Sequence, residues 1–201
     1  RSIAALGVTT VADLRSAHEI EIHPDVPVPG ATWHHFDVLG IPMEQMASLP
    51  DRDTAVAMME RVYRGFVEEP ATRAALGALF ALLASDGVHL FHCSAGKDRT
   101  GWTAALLLHL AGVSDEVILE DYLQTNDYSA TSRAAVQKLI VENLGEEKAE
   151  VYEPVLVADA DYLRTAYDAV AASYGTRERY LIEGLGLDRA TFDRLRSRLR
   201  A

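Results

Sequence analysis

The chain has 201 residues, 49% of them hydrophobic. That is enough to bury one substantial core, and a single domain over residues 1–201 is the expectation. A formal charge of −11 argues against nucleic acid as a partner, and no run of ~18 apolar residues offers a membrane span. The single cysteine excludes an internal disulfide, and no Cys/His spacing suits a metal, so neither a metal nor another cofactor is expected. No signal-peptide pattern opens the chain. It begins at Arg1-Ser2 inside what reads as a helix, so a missing natural N-terminus and a cytoplasmic or secreted location are expected.

In chain order, Ile3 to Gly7 reads as a helix end with a glycine cap, and Val8 to Leu14 as a strand. Three prolines within six residues, Pro24, Pro27 and Pro29, then bar both helix and central strand. Ala31 to Phe36 alternates apolar and polar and reads as a second strand, which Asp37 to Pro42 leaves. Asp53 to Glu68 sets Val56, Met59, Val62, Tyr63 and Phe66 at helical spacing, and Pro70 to Ala84 does the same with Leu76, Leu79, Phe80 and Leu83. Ser85-Asp86-Gly87 turns the chain into Gly87 to Phe91, a run of strand length. Trp102 to Leu110 reads as a buried helix closed by Gly112. Ser114, with Asp115 and Glu116 behind it, opens a helix through Tyr122 and Leu123. Further helices are predicted over Thr131 to Leu144, Ala158 to Tyr174, from Thr176 to a break at Gly184–Leu187, and over Asp188 to Leu199. Glu146 to Glu150 reads as a charged, solvated turn. Few strands among many helices predict a three-layer α/β fold with a small, mostly parallel central sheet.

The chemistry concentrates in His92-Cys93-Ser94-Ala95-Gly96-Lys97-Asp98-Arg99-Thr100-Gly101, between the third strand and its helix. A loop entering a helix aims several backbone N–H groups at one spot, where the helix dipole adds positive potential. Such a nest binds a tetrahedral oxyanion. The same field favours a thiolate, facing solvent, at Cys93. Arg99 carries a planar fork that can take two phosphate oxygens at once. A nucleophilic sulfur beneath a clamped phosphate is arranged for phosphoryl transfer to cysteine, followed by hydrolysis. The bland alternative, a lone buried cysteine used as a small hydrophobe, fits poorly among Ser, Gly, Lys, Asp and Arg. His92 is expected to orient the loop and tune Cys93.

His-Cys-x5-Arg-Thr resembles the signature loop of protein tyrosine phosphatases, and the fuller His-Cys-Ser-Ala-Gly-Lys-Asp-Arg-Thr resembles their bacterial tyrosine-and-lipid phosphatase branch. The resemblance implies Cys93 as nucleophile, Arg99 as phosphate clamp, Thr100 as the hydroxyl that stabilises the thiolate, and Ser94, Ala95, Gly96, Lys97, Asp98 and Arg99 as the phosphate-binding loop. The stretch from Leu6 through Arg15-Ser16 to Glu19 resembles a second signature of that branch, in which the arginine braces the active site. Arg15 matches it; the ordinary alternative is a strand-end arginine paired with Glu19 or Asp13. Residues around 43–70 correspond to lid helices in that branch, or else form an ordinary covering helix. Glu120 to Asn126 resembles the family's Asp-Tyr-Leu-x-x-Asn stretch, which packs behind the loop. The resemblance covers nearly the whole chain, with two specific stretches.

An alcohol leaving group needs a proton, a contribution of ~10²–10⁴-fold. Asp98, inside the loop, holds the acid–base role in the branch this chain resembles; Asp37, past the second strand, is the alternative. Lys97 either holds an additional phosphate, as on a phosphoinositide, or is a solvent-facing lysine that raises the local potential. The expected partners are phosphorylated proteins or phosphoinositides. Two rival readings are a catalytically weak module that binds phospho-ligands and a thiolate-based sulfur transferase.

Overall fold

The computed structural model describes residues 3–38 and 48–200. A 3-10 turn at Ile3–Leu6 leads into β1 (Thr10–Asp13), followed by α1 (Ala17–Ile22), the proline-rich stretch and β2 (Thr32–His35). Next come α2 (Arg52–Glu68), α3 (Pro70–Leu83), β3 (His89–His92), α4 (Asp98–Ala111), α5 (Asp115–Tyr128), α6 (Ala130–Leu144), α7 (Glu146–Leu156) and α8 (Ala160–Tyr174). The short α9 (Arg177–Arg179) runs on as a π-turn over Tyr180–Gly184, and α10 (Arg189–Leu199) closes the chain. This is the expected α/β fold, a small parallel sheet flanked by many helices. No helix among the described residues is long and apolar enough to cross a membrane.

The three strands pair in the order β2-β1-β3. Both pairings are parallel, with Ala12 opposite His34 and Phe91. Parallel neighbours need crossover connections, and here α1 with the prolines supplies one and α2 with α3 another. All three strands therefore release the chain at the same edge. Leu14 N–H bonds the His92 carbonyl at 2.8 Å, and Phe36 N–H bonds the Asp13 carbonyl at 2.8 Å. Cys93 and Asp37 leave the sheet along that edge.

One face of the sheet meets the main core through Ala12 and Phe91. Helix α2 lies in the middle of that core, packed on α7 and α8. Its Ala55, Met59, Tyr63 and Phe66 are fully buried. Trp102 of α4 stacks on Phe66 with ring centroids 6.5 Å apart. Truncating a ring so enclosed costs about 3–5 kcal/mol, so the helix that follows the signature loop is held firmly. The opposite sheet face, Val11, Trp33 and Leu90, borders a cavity of about 610 Å³ beneath Ile3 and Ile20.

Several expectations need correction. The solvated turn at Glu146–Glu150 is the first part of α7. Its two leading glutamates complement the helix N-terminus, and Ala149, Val151, Tyr152 and Val155 turn inward. Helix α4 begins at Asp98, inside the signature loop, rather than near Trp102. Helix α1 was not anticipated, although Ser16 and Glu19 form a full capping box at its start. Of the stretch around 43–70, read as lid helices or an ordinary covering helix, residues 43–47 lie outside the described residues, and Arg52–Glu68 is one helix with Met58, Met59, Tyr63 and Phe66 buried.

Candidate active site

The signature loop joins the carboxyl end of β3 to the N-terminus of α4. Gly96 turns it at φ +69°, a conformation that side chains rarely adopt. Ser94, Ala95 and Gly96 are exposed. Cys93 itself is 7% exposed, so the sulfur is recessed rather than facing solvent as the sequence suggested. Thr100, in the first turn of α4, donates its hydroxyl to Cys93 Sγ at 3.2 Å.

Arg99 is buried beside the cysteine. Its two terminal nitrogens, Nη1 and Nη2, each donate to Glu19 at 2.7 Å, one per carboxylate oxygen. Nη1 also reaches the Leu14 carbonyl at 3.3 Å. Among the described residues no acceptor is bonded to Nε, so that edge of the fork stays available to a ligand. The Ser94 hydroxyl donates to Glu19 at 2.5 Å, and the Ser16 backbone N–H donates to it at 2.8 Å. Burial alone would raise the pKa of Glu19. The hydrogen bonds from Arg99, Ser94 and Ser16 outweigh it and hold the carboxyl far below the usual carboxylate range.

Behind the loop lies a second charged network. Arg15 donates to Asp13 at 2.9 and 2.6 Å, to Asp25 at 2.7 Å and to the His23 carbonyl at 2.8 Å. Asp13 is fully buried, which raises its pKa; the bonds from Arg15 overcome this and lower it. Asp25 meets His92 Nε2 at 3.0 Å, and His92 Nδ1 lies 3.2 Å from the Cys93 carbonyl. Arg15 is thus joined to the loop through Asp25 and His92, and it is Arg99, not Arg15, that holds Glu19. The ligand atoms of Asp13, Asp25 and His92 lie within 4.8 Å of one another, close enough to share a cation. The Arg15 guanidinium already bridges the two carboxylates there.

Lys97 is 4% exposed, so the solvent-facing alternative does not hold. Its ammonium bonds the carbonyls of Val155 and Val157, at 2.9 and 3.0 Å, and lies 3.0 Å from Asp98 Oδ1. Asp98 stands in the first turn of α4, with Tyr63 donating to the same Oδ1 at 2.9 Å. Asp37 is exposed just past β2, two strand positions from β3, which is roughly 10 Å by strand spacing. The structure thus gathers Cys93, Asp98, Arg99 and Thr100 on one loop and leaves Asp37 at the neighbouring strand end. Sequence reasoning missed Glu19 and Tyr63 as members of the site. The unread Ser-x-x-Glu spacing of Ser16 and Glu19 was a signal for an ordered Glu19 side chain, whereas Tyr63 read only as one apolar position on a helix face.

Comparison with known proteins points the same way. The chain is 30% identical to the triple specificity protein phosphatase PtpB of Mycobacterium tuberculosis, over 97% of this chain and 83% of that protein. It is 40% identical to a putative tyrosine-protein phosphatase of Cupriavidus necator over 49% of this chain and 36% of that one. To a tyrosine-protein phosphatase of Nostoc commune it is 33% identical, over 63% of this chain and 43% of that protein. With a match to the tyrosine phosphatase family description that runs over residues 1–201, and the cysteine and arginine of its signature on one loop, the chain belongs to the tyrosine phosphatase family.

Proposed function

We propose that the chain is a single phosphatase domain that hydrolyses phosphomonoesters, phosphotyrosine first among them, through a phosphocysteine on Cys93. The thiolate attacks phosphorus, the S–P bond forms, and the bond to the leaving oxygen breaks as Asp98 gives that oxygen a proton. Water then attacks phosphorus and its proton passes to Asp98. The S–P bond breaks, which restores the thiolate and releases inorganic phosphate. The observation that carries this reading is the hydroxyl of Thr100 donating to Cys93 Sγ at 3.2 Å, which stabilises the anionic sulfur. The exposed amides of Ser94 to Gly96 and the open edge of Arg99 supply the phosphate grip. Because the ammonium of Lys97 is already held by two carbonyls and the Asp98 ion pair, its part in phosphate binding falls to its backbone N–H. Asp98 is preferred over Asp37 as the acid because it shares the loop with the nucleophile.

The name of the mycobacterial relative, a triple specificity protein phosphatase, supports a range wider than one phosphoamino acid, and the signature loop supports phosphoinositides as a further class. The test is release of p-nitrophenol from p-nitrophenyl phosphate, followed by a panel of phosphotyrosine, phosphoserine and phosphothreonine peptides and soluble phosphoinositides. Wild-type turnover that disappears in Cys93→Ser is the expected result. A wild-type chain that binds phosphopeptides without turnover is instead a binding module, and turnover that survives Cys93→Ser removes the sulfur from the mechanism.

A further inference from the structure

Two tyrosines from separate helices meet behind Asp98. The Tyr63 hydroxyl, on α2, donates to Asp98 Oδ1 at 2.9 Å and lies 2.6 Å from the Tyr122 hydroxyl on α5. Each phenol has one proton to give, and the carboxylate only accepts. Tyr63 therefore spends its proton on Asp98, and Tyr122 donates to Tyr63. Burial, and after it the charge of Asp98, pushes the ionisation of both phenols upward, so both remain donors across the working pH range. The Lys97 ammonium forms an ion pair with the same Oδ1, at 3.0 Å. That oxygen is thus engaged by a phenol proton and a neighbouring cation, which leaves Oδ2 to carry a proton.

The pair is rigid. The Tyr63 ring is fully buried and packs against Phe66, Tyr162 and Tyr122, with centroids 5.1, 5.7 and 6.4 Å away. The Tyr122 ring lies so close to α4 that a Cβ at Gly101 would come within 2.9 Å of it. A glycine inside a helix costs stability, and here it admits the ring that backs Tyr63.

We infer that Tyr63 is a positioning residue for Asp98: backed by Tyr122, it holds Oδ1 and leaves Oδ2 as the oxygen that meets the leaving group. This rests on the proposed proton-donor role of Asp98. An aspartate free to rotate would spread its proton over geometries that do not reach the leaving oxygen, and a misplacement of about 1 Å can cost ~10²-fold.

The experiment compares kcat/KM for p-nitrophenyl phosphate, whose leaving group needs little help, and phenyl phosphate, whose leaving group needs a proton. Wild type, Tyr63→Phe, Tyr122→Phe, Asp98→Asn and the Tyr63→Phe/Asp98→Asn double variant are measured. Tyr63→Phe is expected to lower the phenyl phosphate value by up to about 10²-fold and the p-nitrophenyl value much less. Tyr122→Phe should give a smaller change of the same kind. On the Asp98→Asn background the Tyr63 substitution should add nothing, because both act through one proton. An equal loss on both substrates, or a loss in the double variant equal to the product of the single ones, overturns the inference. If Tyr63→Phe fails to fold, Tyr122→Phe decides it: a larger loss on phenyl phosphate upholds the role, and equal losses remove it. A wild type without turnover, or an active Cys93→Ser, defeats the proposed function itself and is told apart by that control.

Discussion

A carboxylate that meets both terminal nitrogens of Arg99 fixes the guanidinium before any substrate arrives. Glu19 does this from a helix of six residues, and it has four donors: two from Arg99, one from Ser94 and one from the Ser16 backbone. Its folded-state pKa is depressed, so its contribution to stability is fully present above the ordinary value of 4.5 and is lost as pH falls below it toward the folded-state value. Glu19→Gln keeps the size and gives up the charge. Thermal melts of both proteins from pH 7 to pH 2.5 should show the wild type losing its advantage over the variant below about pH 4.5; parallel curves over the whole range would show that the pair contributes no net stability. At neutral pH the variant should also bind phosphate less well, because a loosened guanidinium must be ordered by the ligand. The grouping of Cys93, Arg99 and Thr100 was legible in the sequence because the three fall within eight consecutive positions. The partner of Arg99 was not, because 80 residues separate it from Glu19 and only the fold brings β1 beside β3.

At the scale of elements, the corner between α7 and α8 bears most directly on the site. The Val155 and Val157 carbonyls there hold Lys97, and Lys97 holds Asp98. The corner is fastened in turn by Asn126 of α5, which donates to the Ala158 carbonyl and accepts from the Ala158 N–H, both at 2.8 Å. Asn126→Ala removes both bonds and leaves partly buried backbone groups unpaired, at a cost of about 1–3 kcal/mol. Urea denaturation should show that loss, and kcat/KM should fall with it as Lys97 loses its anchor. A variant as stable and as active as the wild type would detach the corner from the site. The helices whose apolar residues recur at helical spacing, such as α2 and α3, could be read from the sequence. Helix α7 could not: its acidic opening looks like a solvated turn, and the inward positions that argue otherwise include Pro154, ordinarily a helix breaker. The buried position of α2 was equally hidden, since its pattern fits a lid helix and an ordinary covering helix alike.

For the whole molecule, strand number and parallel pairing followed from the scarcity of strands among helices, but the order β2-β1-β3 depends on crossovers that no local pattern encodes. Charge is the property of the whole chain that acts on function. The formal charge is −11, and the site does not reverse it locally: the three cations Arg15, Lys97 and Arg99 are matched by the four carboxylates Asp13, Asp25, Glu19 and Asp98. In the proposed phosphate site the pull then comes at contact, from loop amides and the helix N-terminus, while the field farther out repels an anion. Screening should therefore help encounter. Raising ionic strength from 0.01 M to 0.15 M shortens the Debye length from about 30 Å to about 8 Å. It leaves interactions at hydrogen-bond distance largely intact. For p-nitrophenyl phosphate, kcat/KM should rise over that interval when sodium chloride is the added salt, and the gain should be larger for a phosphotyrosine peptide flanked by acidic residues. A neutral osmolyte at matched osmolarity should leave both values unchanged. A steady fall in kcat/KM with added salt would mean that attraction dominates at long range and that the paired cations leave the mouth of the site positive.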